Sequence, residues 1–266
     1  MELFFKKYGN GPYIIILHGL YGNSDNWNSI AKVLANNYEV IVPDQRNHGK
    51  SPHSQEHSYF DMQNDLLELM DKLEINKTVL IGHSMGGKTA MLFAKNHPER
   101  LSNLIVIDIS PKSYSDAGVK SEHFSFHDYL INILNDVDPA IFRSRFDAEK
   151  YFEPLINDPK IRQFILKNLK RNNNNFEWGL NVNSLKNNLK NLLESGFEAK
   201  YSDQISGFPV LFIKGENSDY ITQKDYPLIK SIFPAAEITT IKNAGHWLHS
   251  EQPEKLTEMI KTFINS

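Results

Sequence analysis

The chain has 266 residues, 40% hydrophobic and 23% charged, enough material for one large domain or a domain carrying an insertion. Its 29 Lys and Arg stand against 32 Asp and Glu, a net charge of -3 that offers no overall cationic field to phosphate backbones, so nucleic acid is not an expected partner. The absence of cysteine excludes disulfide scaffolds, thiol nucleophiles, Cys-based zinc sites and Cys-ligated iron–sulfur clusters.

The first residues, Met1-Glu2-Leu3-Phe4-Phe5-Lys6-Lys7, reach two lysines where a signal peptide needs a longer apolar stretch. The longest apolar run, 13–17, is far too short for a bilayer, so a cytoplasmic protein without membrane insertion is expected. Short β-branched runs at 13–17, 39–42, 78–81 and 104–107 read as buried strands, and helical patterns lie between them at 27–35, 60–73 and 85–97. That rhythm predicts a parallel sheet with crossover helices. From Lys112 to Gly207 it lapses into a stretch rich in Phe, Tyr and Asn, with helix-like segments such as 161–169 and no convincing strand. This stretch carries 13 basic and 13 acidic residues, and its run Asn172 to Asn175 reads as a helix-ending loop. The rhythm resumes with a strand at 209–213, a helix near 223–232, a strand near 237–241 and a closing helix near 253–264. The expected organisation is one α/β core domain, residues 1–111 and 208–266, interrupted by a helical cap insertion, 112–207.

Gly82-His83-Ser84-Met85-Gly86-Gly87 directly follows a predicted strand and opens a predicted helix, the strand–turn–helix context that G-x-S-x-G requires of a nucleophile elbow. The turn forces strained backbone on the serine and demands small residues two before and two after it, which Gly82 and Gly86 supply. Such an elbow lifts the Ser84 hydroxyl above the sheet edge. The helix dipole and the Met85 N–H then point at developing negative charge.

Other segments resemble the α/β-hydrolase superfamily. His18-Gly19-Leu20 is similar to its oxyanion loop, the run Asp44-Gln45-Arg46-Asn47-His48-Gly49-Lys50-Ser51 to its D-x-R-x-x-G-x-S turn, and Gly245-His246-Trp247 to its terminal histidine segment. RNHGxSP, GHSMGGK and IDISP together resemble, more narrowly, small bacterial esterases related to abhydrolase-domain acyl and acyl-CoA ester hydrolases. The resemblance implies an α/β-hydrolase fold with a mostly parallel sheet flanked by helices. It also implies serine-dependent cleavage of small-molecule esters or thioesters, through an acyl-enzyme.

Of ten histidines, His246 is the expected base, because it follows the last predicted strand and preserves the fold's order Ser, acid, His; His249 competes with it. The acid departs from the family's usual pattern. After Gly215 the G-x-x-D register puts Ser218 where the acid belongs and Asp219 one residue late, whereas Asp108 ends a strand where a subset of the superfamily carries its acid. Both precede His246, so chain order does not separate them; Asp108 is favoured, because a one-residue shift in so tight a turn would redirect the carboxylate of Asp219, the alternative. The resemblance assigns the oxyanion hole to the backbone N–H groups of Leu20 and Met85. HGLYG replaces the HGGG form that the family associates with bulky tertiary-alcohol esters, so their hydrolysis is not expected.

No cofactor is implied. The chain has no Walker loop or G-x-G-x-x-G, and His123-x-x-x-His127 lacks the Glu of HExxH, which favours a packing role over a metal site. Lys167, Lys170 and Arg171 read as a solvated helix end, although an acyl-CoA substrate would make them the first candidates for phosphate contact. Phe124, Phe126, Tyr129, Phe142, Phe146 and Trp178 would either line an acyl pocket or form the core of the cap. Two other functions stay open for such a chain: hydrolysis of a C–C bond in a diketone-type metabolite, and ligand reception without turnover.

Overall fold

Apolar residues on both sides of a strand force the sheet to be covered on both faces, and that requirement organises the molecule. The computed structural model describes residues 1–114, 121–173, 175–193 and 204–266. Among these the strands are β1 (Phe5–Tyr8), β2 (Tyr13–Leu17), β3 (Glu39–Pro43), β4 (Thr78–His83), β5 (Leu101–Ile107), β6 (Leu169–Asn172), β7 (Asn175–Trp178), β8 (Val210–Gly215) and β9 (Ala236–Ile241). Seven form one sheet in the order β1-β3-β2-β4-β5-β8-β9, parallel throughout except for β1 on β3.

The helices are α1 (Asn28–Leu34), α2 (Tyr59–Lys72), α3 (Met85–Asn96), α4 (Glu122–Asn135), α5 (Arg145–Phe152), α6 (Pro159–Leu166), α7 (Val182–Leu193), α8 (Tyr226–Ile232), α9 (Leu248–Glu251) and α10 (Pro253–Ile264). Strand alternation deals the apolar side chains to two cores. Ile14, Ile16, Val79, Ile81, Ile105 and Ile107 pack with α1 and α10 on one face, while Ile15, Leu17, Leu80, Leu104 and Val106 pack with α2 and α3 on the other. Leu130 and Ile131 of α4 and Leu185 and Leu189 of α7 join the second core, so the segment between β5 and β8 shares apolar burial with the sheet.

Two expectations fail in informative places. The N-terminal strand β1 escapes prediction because Phe5-Lys6-Lys7-Tyr8 is a half-exposed antiparallel edge with no apolar run. Between β5 and β8, the stretch expected to lack strands holds the hairpin β6–β7, whose strands pair only with each other. The Asn run therefore falls in the hairpin, Asn172 ending β6 and Asn175 opening β7, and not in a helix-ending loop. Asn173 stands at φ 53°, a left-handed conformation that asparagine tolerates, and Asn174 lies outside the described residues.

The D-x-R-x-x-G-x-S turn ties this segment to the sheet. Asp44 accepts from Ser24 N–H at 2.6 Å and Lys50 N–H at 2.8 Å, and Gly49 (φ 62°) passes so near that a Cβ there would lie 2.1 Å from Asp44 Oδ2. Arg46 grips Asp65 of α2 with two bonds, at 2.6 and 2.9 Å, inside the protein. The turn's backbone then pairs outward: Gly49 N–H donates to Gly179 O at 2.7 Å and Asn181 N–H to Asn47 O at 2.9 Å.

Strand β4 and its crossover helix α3 approach with no room for side chains between them. A Cβ on Gly82 would lie 2.3 Å from Gly86 O, and one on Gly86 would lie 2.4 Å from Leu17 O and 2.6 Å from His18 O. All three obstacles are backbone. Gly86→Ala should therefore destabilise by about 1–3 kcal/mol or more, seen as a Tm several degrees lower by calorimetry; an unchanged Tm would mean that the helix can move off the sheet.

Candidate active site

Ser84 occupies the single residue between β4 and α3, at φ 53° and ψ -119°, and its N–H donates to Ile107 O at 3.1 Å. A non-glycine residue held in that region stores on the order of 1–3 kcal/mol of strain, sustained by the contacts at Gly82 and Gly86. Its hydroxyl is consequently presented above the carboxyl edge of the sheet.

His246 lies on the loop after β9, and the Glu251 carboxylate secures that loop on either side of it by accepting from Gly245 N–H at 3.0 Å and Trp247 N–H at 3.2 Å. Its Nε2 is 3.0 Å from Ser84 Oγ and its Nδ1 is 2.8 Å from Asp108 Oδ2. Asp108 follows β5 at φ 50° and is wholly buried. Its N–H donates to Ile213 O at 2.8 Å, its Oδ1 accepts from Gly215 N–H at 3.0 Å, and its Oδ2 also accepts from the Ser218 hydroxyl.

The alternative acid points elsewhere. Asp219 is 69% exposed, with Oδ2 3.6 Å from His123 Nε2. Strand β8 lies beside β5, so the loop after β8 brings Ser218, in the usual acid register, against Asp108 as a donor. His249, the other candidate base, is buried, stacked on Trp27 with ring centroids 4.9 Å apart, and edge-on to His83.

Leu20 belongs to the turn closed by Gly22 N–H on Gly19 O at 2.9 Å, and a Cβ on Gly19 would lie 3.1 Å from Ser84 Cβ. Met85 opens α3, so its N–H has no acceptor within the helix. Two buried histidines staple the Leu20 turn to the loop after β3. His18 Nε2 accepts from Gln45 N–H at 2.9 Å, which assigns the proton to Nδ1 for donation to Gly19 O, also at 2.9 Å. His48 Nε2 likewise accepts from Tyr21 N–H at 3.3 Å while Nδ1–H donates to Arg46 O at 2.8 Å. His83 Nε2 is 2.8 Å from His246 O, a bond that fixes the backbone of the loop histidine.

A cavity of about 230 Å³ opens onto Ser84 and His246, walled by Tyr21, Phe126, Phe164, Tyr220 and Trp247. Of the aromatic residues singled out from sequence, Phe126 alone lines it. Phe142 and Trp178 pack against Phe152, Phe124 packs against the core, and Tyr129 and Phe146 are exposed. His123 and His127 both face the cavity wall, His127 Nε2 lying 3.1 Å from the Tyr220 hydroxyl. Phe164 and Trp247, with rings 5.7 Å apart, also line a neighbouring groove of about 800 Å³ into which α6 turns Lys160, Gln163 and Lys167. Lys167 does cap α6, but Lys170 and Arg171 belong to β6 and not to a helix end. The roles of Tyr21, Ser218, Tyr220 and Trp247 escape sequence reasoning, because they depend on loops that meet only through the fold.

A family model of the alpha/beta hydrolase fold matches residues 12–253, and the chain belongs to that family. The sn-1-specific diacylglycerol lipase ABHD11 of Danio rerio is 38% identical over 267 residues, covering 98% of this chain and 80% of the relative. Esterase YbfF of Escherichia coli K12 is 32% identical over 262 residues, covering 98% of this chain and 95% of the relative. A solved marine microorganism esterase superposes with a TM-score of 0.93 at 42% identity, covering 98% of this chain and 99% of that one. Within the family, the protein is a carboxylesterase-type hydrolase. Among the described residues no helix is long and apolar enough to cross a membrane.

The buried histidines make the fold sensitive to acid. Burial, with neighbouring Arg46 or His246 adding to it, pushes His57, His127 and His249 down to about 3, and burial holds His48 and His83 well below their ordinary value. Below pH about 6.5 the unfolded chain takes up protons that the folded one refuses. Their stabilisation is thus complete above that pH and lost as pH falls toward 3, at up to about 1.4 kcal/mol per pH unit for each histidine. The urea midpoint should stay level from pH 8 to about pH 6.5 and then drop steadily toward pH 5; a profile flat down to pH 5 would mean that these rings are protonated or solvated in the native protein.

Proposed function

We propose that the protein hydrolyses carboxylic esters and thioesters through a Ser84–His246–Asp108 triad. The observation that carries this reading is the unbroken chain of contacts, 3.0 Å from Ser84 Oγ to His246 Nε2 and 2.8 Å from His246 Nδ1 to Asp108 Oδ2. Ser84 Oγ attacks the acyl carbon while its proton moves to His246 Nε2, and the carbonyl oxygen, now an anion, accepts from the N–H groups of Leu20 and Met85. The C–O or C–S bond then breaks and the leaving alkoxide or thiolate takes the proton from Nε2. A water repeats the sequence on the acyl-enzyme, releasing the acid and restoring Ser84. Asp108 keeps the Nδ1 proton in place and stabilises the imidazolium.

In this reading, residues 1–111 and 208–266 form the catalytic core and 112–207 a cap over the acyl site. The continuous apolar packing between the two and the aromatic walls of the 230 Å³ cavity support it. Relatives named as a diacylglycerol lipase and an esterase support the oxygen-ester half. For a thioester with a phosphate-bearing leaving group, Lys160 and Lys167 in the adjoining groove are the cations within reach.

Turnover of p-nitrophenyl butyrate by two nearly isosteric variants tests the triad. Asp108→Asn favours the wrong imidazole tautomer and withdraws the charge beneath it, so kcat should fall by up to about 10⁴-fold, while Asp219→Asn should cost little. The reverse ranking, at matched Tm, would move the acid to the loop after β8.

A further inference from the structure

His246 rides on a loop, and its two in-plane hydrogen bonds leave from opposite sides of the ring, to Ser84 and to Asp108. Such a pair fixes where the two nitrogens point. It does little against tilting of the ring about the line that joins them, so something must restrain the faces. The Tyr220 ring lies on the imidazole with centroids 3.8 Å apart and planes 18° apart, the most nearly parallel ring contact His246 makes. His83 and Trp247 meet it at 4.8 Å and 6.0 Å with steeper inclinations of 40° and 67°.

We propose that Tyr220 is a positioning residue, a rigid aromatic plate that holds the catalytic imidazole level with Ser84 and Asp108 and offers its π face to the imidazolium formed during attack. The proposal rests on the triad reading. Tyr220 is itself well anchored. Its carbonyl accepts from the Tyr114 hydroxyl at 2.5 Å, its N–H reaches Ser218 Oγ at 3.4 Å, and its hydroxyl meets His127 Nε2 of α4 at 3.1 Å. The His123 ring, also on α4, lies 4.2 Å from its centroid. Burial, followed by the nearby Asp108 and Asp219 carboxylates, pushes the phenol well above its ordinary range, so at neutral pH the ring is uncharged and acts by contact, not by proton transfer. The plate is thus held from the segment between β5 and β8, and its grip on the base depends on how that segment sits on the sheet.

The test compares Tyr220→Leu, Tyr220→Phe and His246→Ala on p-nitrophenyl acetate, an ester too small to need the cavity walls. Tyr220→Leu should lower kcat about 10- to 100-fold with KM within about threefold of wild type, and the rate at which a fluorophosphonate labels Ser84 should fall in step. Tyr220→Phe keeps the π face and should recover kcat to within about threefold of wild type. A Tyr220→Leu variant with raised KM and unchanged kcat would make Tyr220 a mere pocket wall and overturn the proposal. So would a Tyr220→Phe variant as slow as Tyr220→Leu, since the hydroxyl would then be the active part. His246→Ala separates the two readings: wild-type turnover there would sink the triad itself, whereas a dead His246→Ala beside an unimpaired Tyr220→Leu would sink only the plate. Should Tyr220→Leu fail to fold, the wild-type protein still answers by NMR. Shielding by the Tyr220 face must move the His246 ring C–H resonances upfield, and unshifted resonances would contradict the stack.

Discussion

The constraint on which the rest of the structure depends is the contact of bare backbone between β4 and α3. Gly82 and Gly86 let strand and helix approach within distances at which a Cβ on Gly82 would strike Gly86 O, and one on Gly86 the carbonyls of Leu17 and His18. That closeness leaves one residue, Ser84, to turn the chain, and it does so at a φ that an L-residue adopts only when its surroundings insist. The same contact brings the end of β2 against the elbow, so the Leu20 turn reaches the serine without any side chain between them. Parallel order in the sheet then does the remaining work, since the carboxyl ends of β5, β8 and β9 all open on that edge and deliver Asp108, Ser218 and His246.

Around this edge the protein uses neutral histidine as a structural part. His18 and His48 each accept from a backbone N–H through Nε2 and donate to a carbonyl through Nδ1, a two-ended clamp between loops. His83 lies against His246 and is kept uncharged by burial, with His246 and His249 adding to the effect, so it steadies the loop of His246 while adding no charge of its own. Against this rigid half stands the segment between β5 and β8, joined to it by the backbone of Asn47 and Gly49 and by apolar packing. In our reading that segment both encloses the acyl chain and, through His123 and His127, steadies the ring that flanks the base.

The parallel strands were legible because burial on both faces writes an unbroken apolar run, as at Ile14, Ile15 and Ile16. Strand β1 and the hairpin β6–β7 were not, because edge strands and a hairpin without a sheet behind it need no such run: Lys170 and Arg171 are as much strand residues as Leu169. At the site, local spacing and chain order single out Ser84 and His246, which the fold sets 3.0 Å apart. Chain order could not separate Asp108 from Asp219 and only the one-residue register shift favoured Asp108; the structure adds a lateral relation, the pairing of β5 with β8 that sets Gly215 and Ser218 beside Asp108. Tyr220 left no mark at all in the pattern. Its contact with His246 joins the ends of two strands that lie side by side in the sheet but have α8 between them in the chain.

The central claim is that one serine, raised on the β4–α3 elbow, is activated by His246. Mass mapping of the protein after reaction with a fluorophosphonate measures this most directly. The account predicts a single adduct on the peptide carrying Ser84, with loss of ester turnover in proportion to the adduct formed and no labelling of Ser84→Ala. An adduct on another serine, or full turnover by a quantitatively labelled protein, would contradict it.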